Sequence, residues 1–226
     1  MRKLCDEHDA VFIMDDILEH GGPGAAVFLE EFTEVLASYC GDEDVSLRQA
    51  SIFGLGIVGT CFTKEATASM PAIVERLQAA LSLPDAQERR VAQATDNAVS
   101  ALGKLSLLHS EWPAGVLDVN TVVPTWLSFL PLGSDKDESQ LTLIQLCDMF
   151  QRDDLRAVLL GASGERVADV LHVFGQVIGT ELVDEAIGGR IAATLAGMQE
   201  AIPGEVLQQA FAQLPAEEQG NLQTMM

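Results

Sequence analysis

Three glycines have the spacing of a phosphate-binding loop. Gly54, Gly56 and Gly59 spell GxGxxG, a fingerprint of dinucleotide-binding folds, in which backbone N–H groups at a helix N-terminus hold a pyrophosphate. That chemistry requires a buried strand directly before the first glycine. The segment 47–53 is short of β-branched residues, and its apolar positions include helical spacings. We therefore predict one helix through the three glycines, packed against a neighbouring helix, and no bound cofactor.

Carboxylates dominate the charged side chains. The chain has 34 acidic against 13 basic residues, a formal charge of −21, and residues 1–47 hold twelve acidic residues against only Arg2 and Lys3. In a helix predicted over 7–20, Asp15 and Glu19 lie one turn apart on one face. Such a charge repels DNA phosphates and anionic lipid and attracts basic partners, although solubility alone is the other explanation.

Cysteine, histidine and serine residues show no pattern of a metal or catalytic site. The four cysteines are far apart, without a CxxC or a Cys/His pair at metal-ligand spacing, and the four histidines stand alone. Cys40, Cys61 and Cys147 lie among apolar residues and are expected to be reduced core cysteines. Ser163 and its neighbours lack the context of a nucleophile elbow. We expect no metal and no enzyme activity.

Helical periodicity recurs along nearly the whole chain, while aromatic content is only 5%. Helices are predicted over 7–20, 25–40, 45–60, 64 or 66–81 with a break or late start at Pro71, 86–108, 120–130, 134–150, 153–160, 165–178, 181–198, from about 204 to 214, and from Pro215 onward. No run of 18 apolar residues occurs, so membrane insertion is not expected. The first residues turn acidic before any apolar region, which is not typical of a signal peptide.

Two of these helices carry a repeat signature. Gly54-Leu55-Gly56 aligns with Ala101-Leu102-Gly103 at an offset of 47 residues, the upper edge of the HEAT-repeat period. Glycine within a helix costs about 1 kcal/mol relative to alanine, so close packing of adjacent repeats is the expected reason for it. Arg48 and the acidic turn 42–44 are expected to tie successive turns together. We predict an all-α fold, a HEAT-repeat α-solenoid in which antiparallel helix pairs form a right-handed superhelix.

The chain resembles the C-terminal end of the importin β superfamily of nuclear transport receptors, most closely the karyopherin β3 (importin-5) type. The similar segments are FIMDDILEH at 12–20, LRQASIFGLGI at 47–57, TDNAVSALGK at 95–104, VNTVVPTWLSFLPL at 119–132 and LPAEEQGNLQ at 214–223. The resemblance covers nearly the whole chain in order and is weaker over 153–202. It implies a single HEAT array over 1–226, better defined over 7–150 and more divergent over 153–226, that forms the C-terminal part of a longer receptor.

This resemblance also implies function. Such a receptor is no enzyme; it wraps basic cargo segments, moves between cytoplasm and nucleus through the nuclear pore, and releases cargo when Ran-GTP binds. The Ran-GTP site lies mainly on N-terminal repeats that this chain does not contain, so no contact residue is carried over. Nuclear pore proteins are further candidate partners. The rival hypothesis is a HEAT scaffold or adaptor that mediates protein–protein interaction without transport.

The resemblance further implies that the helices at 7–20, 45–60, 86–108 and 135–150 face the concave, cargo-binding side. Carboxylates there would pair with Lys or Arg of an extended segment, and an asparagine would hydrogen-bond its backbone. The candidate cargo-binding residues are Asp15, Asp16, Glu19, Asp96, Asn97 and Glu138. A solvated helix face or a cap between repeats is the alternative interpretation of each.

Overall fold

The computed structural model describes residues 2–225, with side chains from residue 7 onward, and all regular structure in that range is helical. The predicted all-α class is confirmed. Contacts divide the chain into two compact units, residues 1–118 and 119–226. The α-helices of the first unit are α1 (Arg2–His20), α2 (Leu29–Tyr39), α3 (Val45–Cys61), α4 (Met70–Leu81) and α5 (Ala92–Leu107). Those of the second are α6 (Val119–Leu127), α7 (Lys136–Gln151), α8 (Asp153–Leu160), α9 (Val167–Val177), α10 (Glu185–Ala201), α11 (Gly204–Ala212) and α12 (Ala216–Gln223).

The first unit is built around α3. Helices α1, α2 and α5 pack on α3, and α4 packs on both α3 and α5. Almost every residue of α3 from Leu47 to Gly59 is buried, which a helix with neighbours on several sides requires. Helices α1, α3 and α5 thus form one layer, and α2 and α4 pack against it. This arrangement is compatible with stacked helix pairs, and the solenoid stays a prediction.

The three glycines lie inside α3, as predicted, and each faces a neighbouring element. A Cβ on Gly54 would overlap the Asp15 carboxylate of α1, and on Gly56 it would lie 3.0 Å from the Ala101 Cβ of α5. On Gly59 it would lie 2.6 Å from a methyl group of Leu105. A methyl side chain at these places would therefore force the helices apart. The glycines are packing devices, and the strand–loop–helix of a dinucleotide site is absent from this stretch.

The chain between α1 and α2 differs from its predicted helix. Residues Gly22–Phe28 form a 3₁₀ segment, so the α-helix expected from residue 25 begins only at Leu29. Gly22 adopts a φ of +55°, which favours glycine, and Pro23 follows it. Helix α1 also begins at Arg2 and not at residue 7. The glycine–proline run thus leaves the end of α1 at His20, as predicted, and delays the start of α2.

Two further helices of the first unit begin later than their periodicity suggests. Helix α4 starts at Met70, so Pro71 lies in its first turn, as the expected late start requires. Helix α5 was expected from residue 86 but starts at Ala92. The turns before it are held by side chains, since the Thr95 hydroxyl donates to the Ala86 carbonyl at 2.6 Å.

In the second unit, α9 forms the centre of the core. Val167, Val170, Leu171 and Phe174 are fully enclosed, and α11 and α12 both pack on α9. Helix α7 packs against α8 and α10. The Asp148–Arg190 ion pair, with Nη1 2.7 Å from Oδ1, joins α7 to α10.

In the second unit, a proline and a capping aspartate influence where α6 ends and α7 begins. Hydrophobic periodicity alone does not predict these positions. Pro124 lies inside α6 and not in its first turn, so α6 lacks one backbone hydrogen bond and ends three residues later. The helix predicted over 120–130 begins one residue earlier, at Val119, with Asn120 as its second residue. Asp135 caps α7 by accepting from the Asp137 and Glu138 amides, which starts the helix at Lys136.

Candidate interaction surface

The C-terminal half of α1 brings three candidate residues together. Asp15 and Glu19 lie one turn apart, and Asp16 lies beside them. Asp16 and Glu19 are exposed, whereas Asp15 is only 6% exposed. The trio therefore consists of two solvent-facing carboxylates and one carboxylate beneath α3.

Asp15 occupies the space that Gly54 leaves open. Its Oδ1 atom has no hydrogen-bond partner among the described residues, and Leu36 of α2 closes the same space. Burial disfavours the charged carboxylate and, with the negative charges of Asp16 and Glu19, raises the pKa of Asp15 to about 7. The Asp15 carboxyl therefore keeps its proton to a higher pH than an exposed aspartate does.

Helix α5 carries the next two candidates. Asp96 is 5% exposed, while the adjacent Asn97 is half-buried and reaches solvent. Both α1 and α5 pack on α3, so all five candidates of the first unit belong to one layer of helices. Within this layer, Asp16, Glu19 and Asn97 are open to a partner. Asp15 and Asp96 are enclosed by neighbouring helices.

The sixth candidate belongs to the other unit. Glu138 is half-buried in the first turn of α7, where a negative charge is favoured by the helix dipole. This placement gives Glu138 a role at a helix end. Cargo contact by any of the six residues stays a prediction.

Arg48 has a structural role, as its position suggested. Its guanidinium is almost enclosed and donates to the Asp42 carbonyl and to Asp85 Oδ1, both at 2.9 Å. Asp85 Oδ2 also accepts from Arg90 at 2.6 Å. The Arg48 hydrogen bond lowers the pKa of the Asp85 carboxyl. Arg48 thus joins the turn before α3 to the turn after α4.

The acidic turn before α3 is a helix cap. Asp44 accepts from the amides of Ser46 at 2.9 Å and Leu47 at 3.2 Å, and the Leu47 hydrogen bond is the main reason that its pKa is lowered. His8 Nε2 of α1 lies 3.1 Å from Asp44 Oδ2. The sequence signals the cap, but the histidine contact could not be found from spacing because it joins distant residues.

In the part of α1 and α2 that the structure describes, the exposed carboxylates form no salt bridge with a Lys or Arg, and Glu19 pairs only with His20. From residue 4 to residue 47 the chain contains no Lys or Arg. Among the described residues, the exposed carboxylates that no salt bridge joins to a Lys or Arg include Asp9, Asp16, Glu30, Glu31 and Glu34. Later in the chain, arginines neutralise carboxylates locally, as in Arg90–Glu88 and Arg152–Asp154. Within the described part of α1 and α2, these carboxylates are therefore uncompensated by any Lys or Arg salt bridge.

Other kinds of site find no support in the described residues. They contain no group of three or more His, Cys, Asp or Glu side chains placed to hold a metal ion. Of the predicted core cysteines, Cys40 and Cys147 are buried, whereas Cys61, at the end of α3, is exposed. Across residues 2–225, none of the helices has the length and apolarity needed to cross a membrane. No protein-family model matches the chain.

Proposed function

We propose that the protein is a helical-repeat binding module that holds basic polypeptide segments on the acidic face of its first unit. It acts by binding and carries out no catalysis. The uncompensated carboxylates of α1 and α2 carry this proposal. A partner rich in Lys and Arg would supply the positive charge that the chain itself lacks in this region.

The roles of the candidate residues follow from their exposure. Asp16 and Glu19 are free to form charge-assisted hydrogen bonds with Lys or Arg side chains. Asn97 can donate to or accept from the backbone of a bound segment. Asp15 lies enclosed beside Asp16 and Glu19, and a bound cation nearby would favour the charged form of its carboxyl.

The resemblance to the C-terminal repeats of importin β-type receptors supports a more specific proposal. In this proposal the bound segments are those of nuclear import cargo, and the chain is one HEAT array that works in cytoplasm and nucleus. Ran-GTP would act through repeats outside this chain, and nuclear pore proteins are further partners. A scaffold without transport activity is the alternative.

Charge reversal tests the proposal. We expect the double substitution Asp16→Lys, Glu19→Lys to weaken binding of a Lys/Arg-rich peptide by about tenfold or more at physiological salt, because two favourable charges become unfavourable. Binding is measured by fluorescence anisotropy of a labelled peptide. The matched control is Glu200→Lys, Glu205→Lys, two exposed carboxylates of the second unit.

The control variant carries the same net charge, so it should bind nearly as well as the wild type. Equal weakening by both variants would show a non-specific effect of net charge and contradict the assignment to α1. If the basic peptide binds no better than a serine-substituted counterpart, the binding proposal fails and the scaffold alternative gains support.

A further inference from the structure

Four large apolar side chains of the first unit remain exposed. Phe12 and Ile13 of α1 are 51% and 56% exposed, and Val27 and Phe28 of the 3₁₀ segment are 79% and 42% exposed. No other large hydrophobic side chain is exposed in the part of the chain that the structure describes. Single exposed apolar residues are ordinary on protein surfaces, but two adjacent pairs within 17 residues of sequence indicate a contact surface.

The two pairs lie on elements that touch each other. The 3₁₀ segment packs against α1, and Ala25 of this segment is buried beside Gly21, the residue that follows α1. Val27 and Phe28 are thus exposed on a segment that contacts α1.

One side of α1 is already occupied. Val11, Asp15 and Leu18, at helical spacing, are buried on the side of α1 that packs on α3. Ile13 follows Val11 by two residues, which places it about 200° around the helix and so nearly opposite the buried stripe. Phe12 lies about 100° from Val11, on the flank between the buried stripe and Ile13, so an element that covers Phe12 and Ile13 would pack on the part of α1 that faces away from α3.

Carboxylates border these apolar side chains. Asp9 precedes Phe12 and Ile13 by about one helical turn and Asp16 follows them by one, and both are exposed. Glu30 and Glu31 follow Phe28 by two and three residues. A second copy of this chain would bring the same carboxylates into the contact and would be repelled. A partner with an apolar stripe edged by Lys or Arg would bury this stripe on the exposed apolar side chains and pair its basic residues with the carboxylates.

We propose that Phe12, Ile13, Val27 and Phe28 form a docking site for an amphipathic helix of a partner protein, with an apolar stripe flanked by Lys and Arg. Such a helix would continue the layer of α1, α3 and α5 by packing on the free side of α1. This inference rests on the proposed function. It adds that the partner carries an apolar stripe, which a purely basic peptide lacks.

Two peptides of equal charge separate the inference from the proposed function. One is a basic amphipathic helix with leucines along one face, and the other has glutamine in place of each leucine. We expect the leucine peptide to bind the full chain at least tenfold more tightly. The double variant Phe12→Ser, Ile13→Ser should abolish this difference and leave binding of the glutamine peptide unchanged. Ala10→Ser, an exposed position on the same helix, is the control.

Each outcome decides between the two proposals. Equal affinity for both peptides, or equal weakening of both by the double variant, would overturn the docking site while leaving the acidic surface intact. Failure of both peptides to bind would overturn the proposed function as well. A dimer of the free chain in light scattering that the double variant dissociates would assign the apolar surface to a second copy and overturn the inference.

Discussion

Replacing Asp15 with asparagine should make the protein more stable at about pH 8 by up to roughly 4 kcal/mol, while changing stability little at about pH 4. Asp15 is enclosed beneath α3, where its charged form lacks solvent and its Oδ1 lacks a hydrogen-bond partner among the described residues. Asparagine has nearly the same shape and no charge, so the cost of the buried charge disappears.

The direction of the pH effect follows from the raised pKa. A carboxyl whose pKa rises from 3.8 to about 7 on folding binds its proton more tightly in the folded protein. The stability that this group contributes is therefore complete below about pH 4 and is lost as the pH rises to about 7. Three pKa units correspond to roughly 4 kcal/mol, and above about pH 7 no more is lost from this group.

Urea denaturation across this pH range measures the effect. Asp9→Asn is the matched control, because Asp9 lies exposed on the same helix and its removal changes the net charge equally. The wild type and the control should both become less stable between about pH 4 and pH 7, and Asp15→Asn should lose much less over that range. Parallel loss in all three proteins would show that Asp15 is not an enclosed titrating group.

The second large effect is expected from Gly54→Ala, which should destabilise the protein by about 2 kcal/mol. The new Cβ would overlap the Asp15 carboxylate and lie 2.8 Å from a methyl group of Leu36. Alanine is the better helix former by about 1 kcal/mol, so the packing conflict must exceed that gain for the variant to be less stable. The free energy of unfolding from urea denaturation decides the sign.

Gly189→Ala provides the comparison. Gly189 lies inside α10, is exposed, and would have no atom within 4 Å of an added Cβ. Its replacement should stabilise the protein by about 1 kcal/mol, because only helix propensity changes. The cost of Gly54→Ala should also shrink in an Asp15→Ala background, which removes one of the overlapping groups. Equal stabilisation by both alanines would contradict the close contact of α1 and α3.

Much of the helical framework could be predicted because local signals determine it. The helix through Gly54, Gly56 and Gly59 followed from apolar positions at helical spacing and the small number of β-branched residues before Gly54. Pro71 predicted a break or a late start, and α4 does start late, at Met70. Arg48 was expected to tie turns together, and its hydrogen bonds to Asp42 and Asp85 do so.

Other features depend on contacts between distant residues, which periodicity does not contain. Helix α5 begins later than expected because Arg48, Arg90 and Thr95 stabilise turns before it. The burial of Asp15 depends on the register of α1 against Gly54, 39 residues away. Its charge made an exposed binding role the natural prediction. The glycine–proline run signalled a turn but not the 3₁₀ segment that leaves Phe28 partly exposed.

The measurement that tests the binding proposal most directly is a comparison of a Lys/Arg-rich peptide with its neutral counterpart over a series of salt concentrations. If the acidic face of the first unit is a binding surface, the basic peptide should bind at physiological salt, its affinity should fall steeply as salt increases, and the neutral peptide should bind weakly throughout. Equal binding of the two peptides at every salt concentration, or no binding of either, would contradict the proposal.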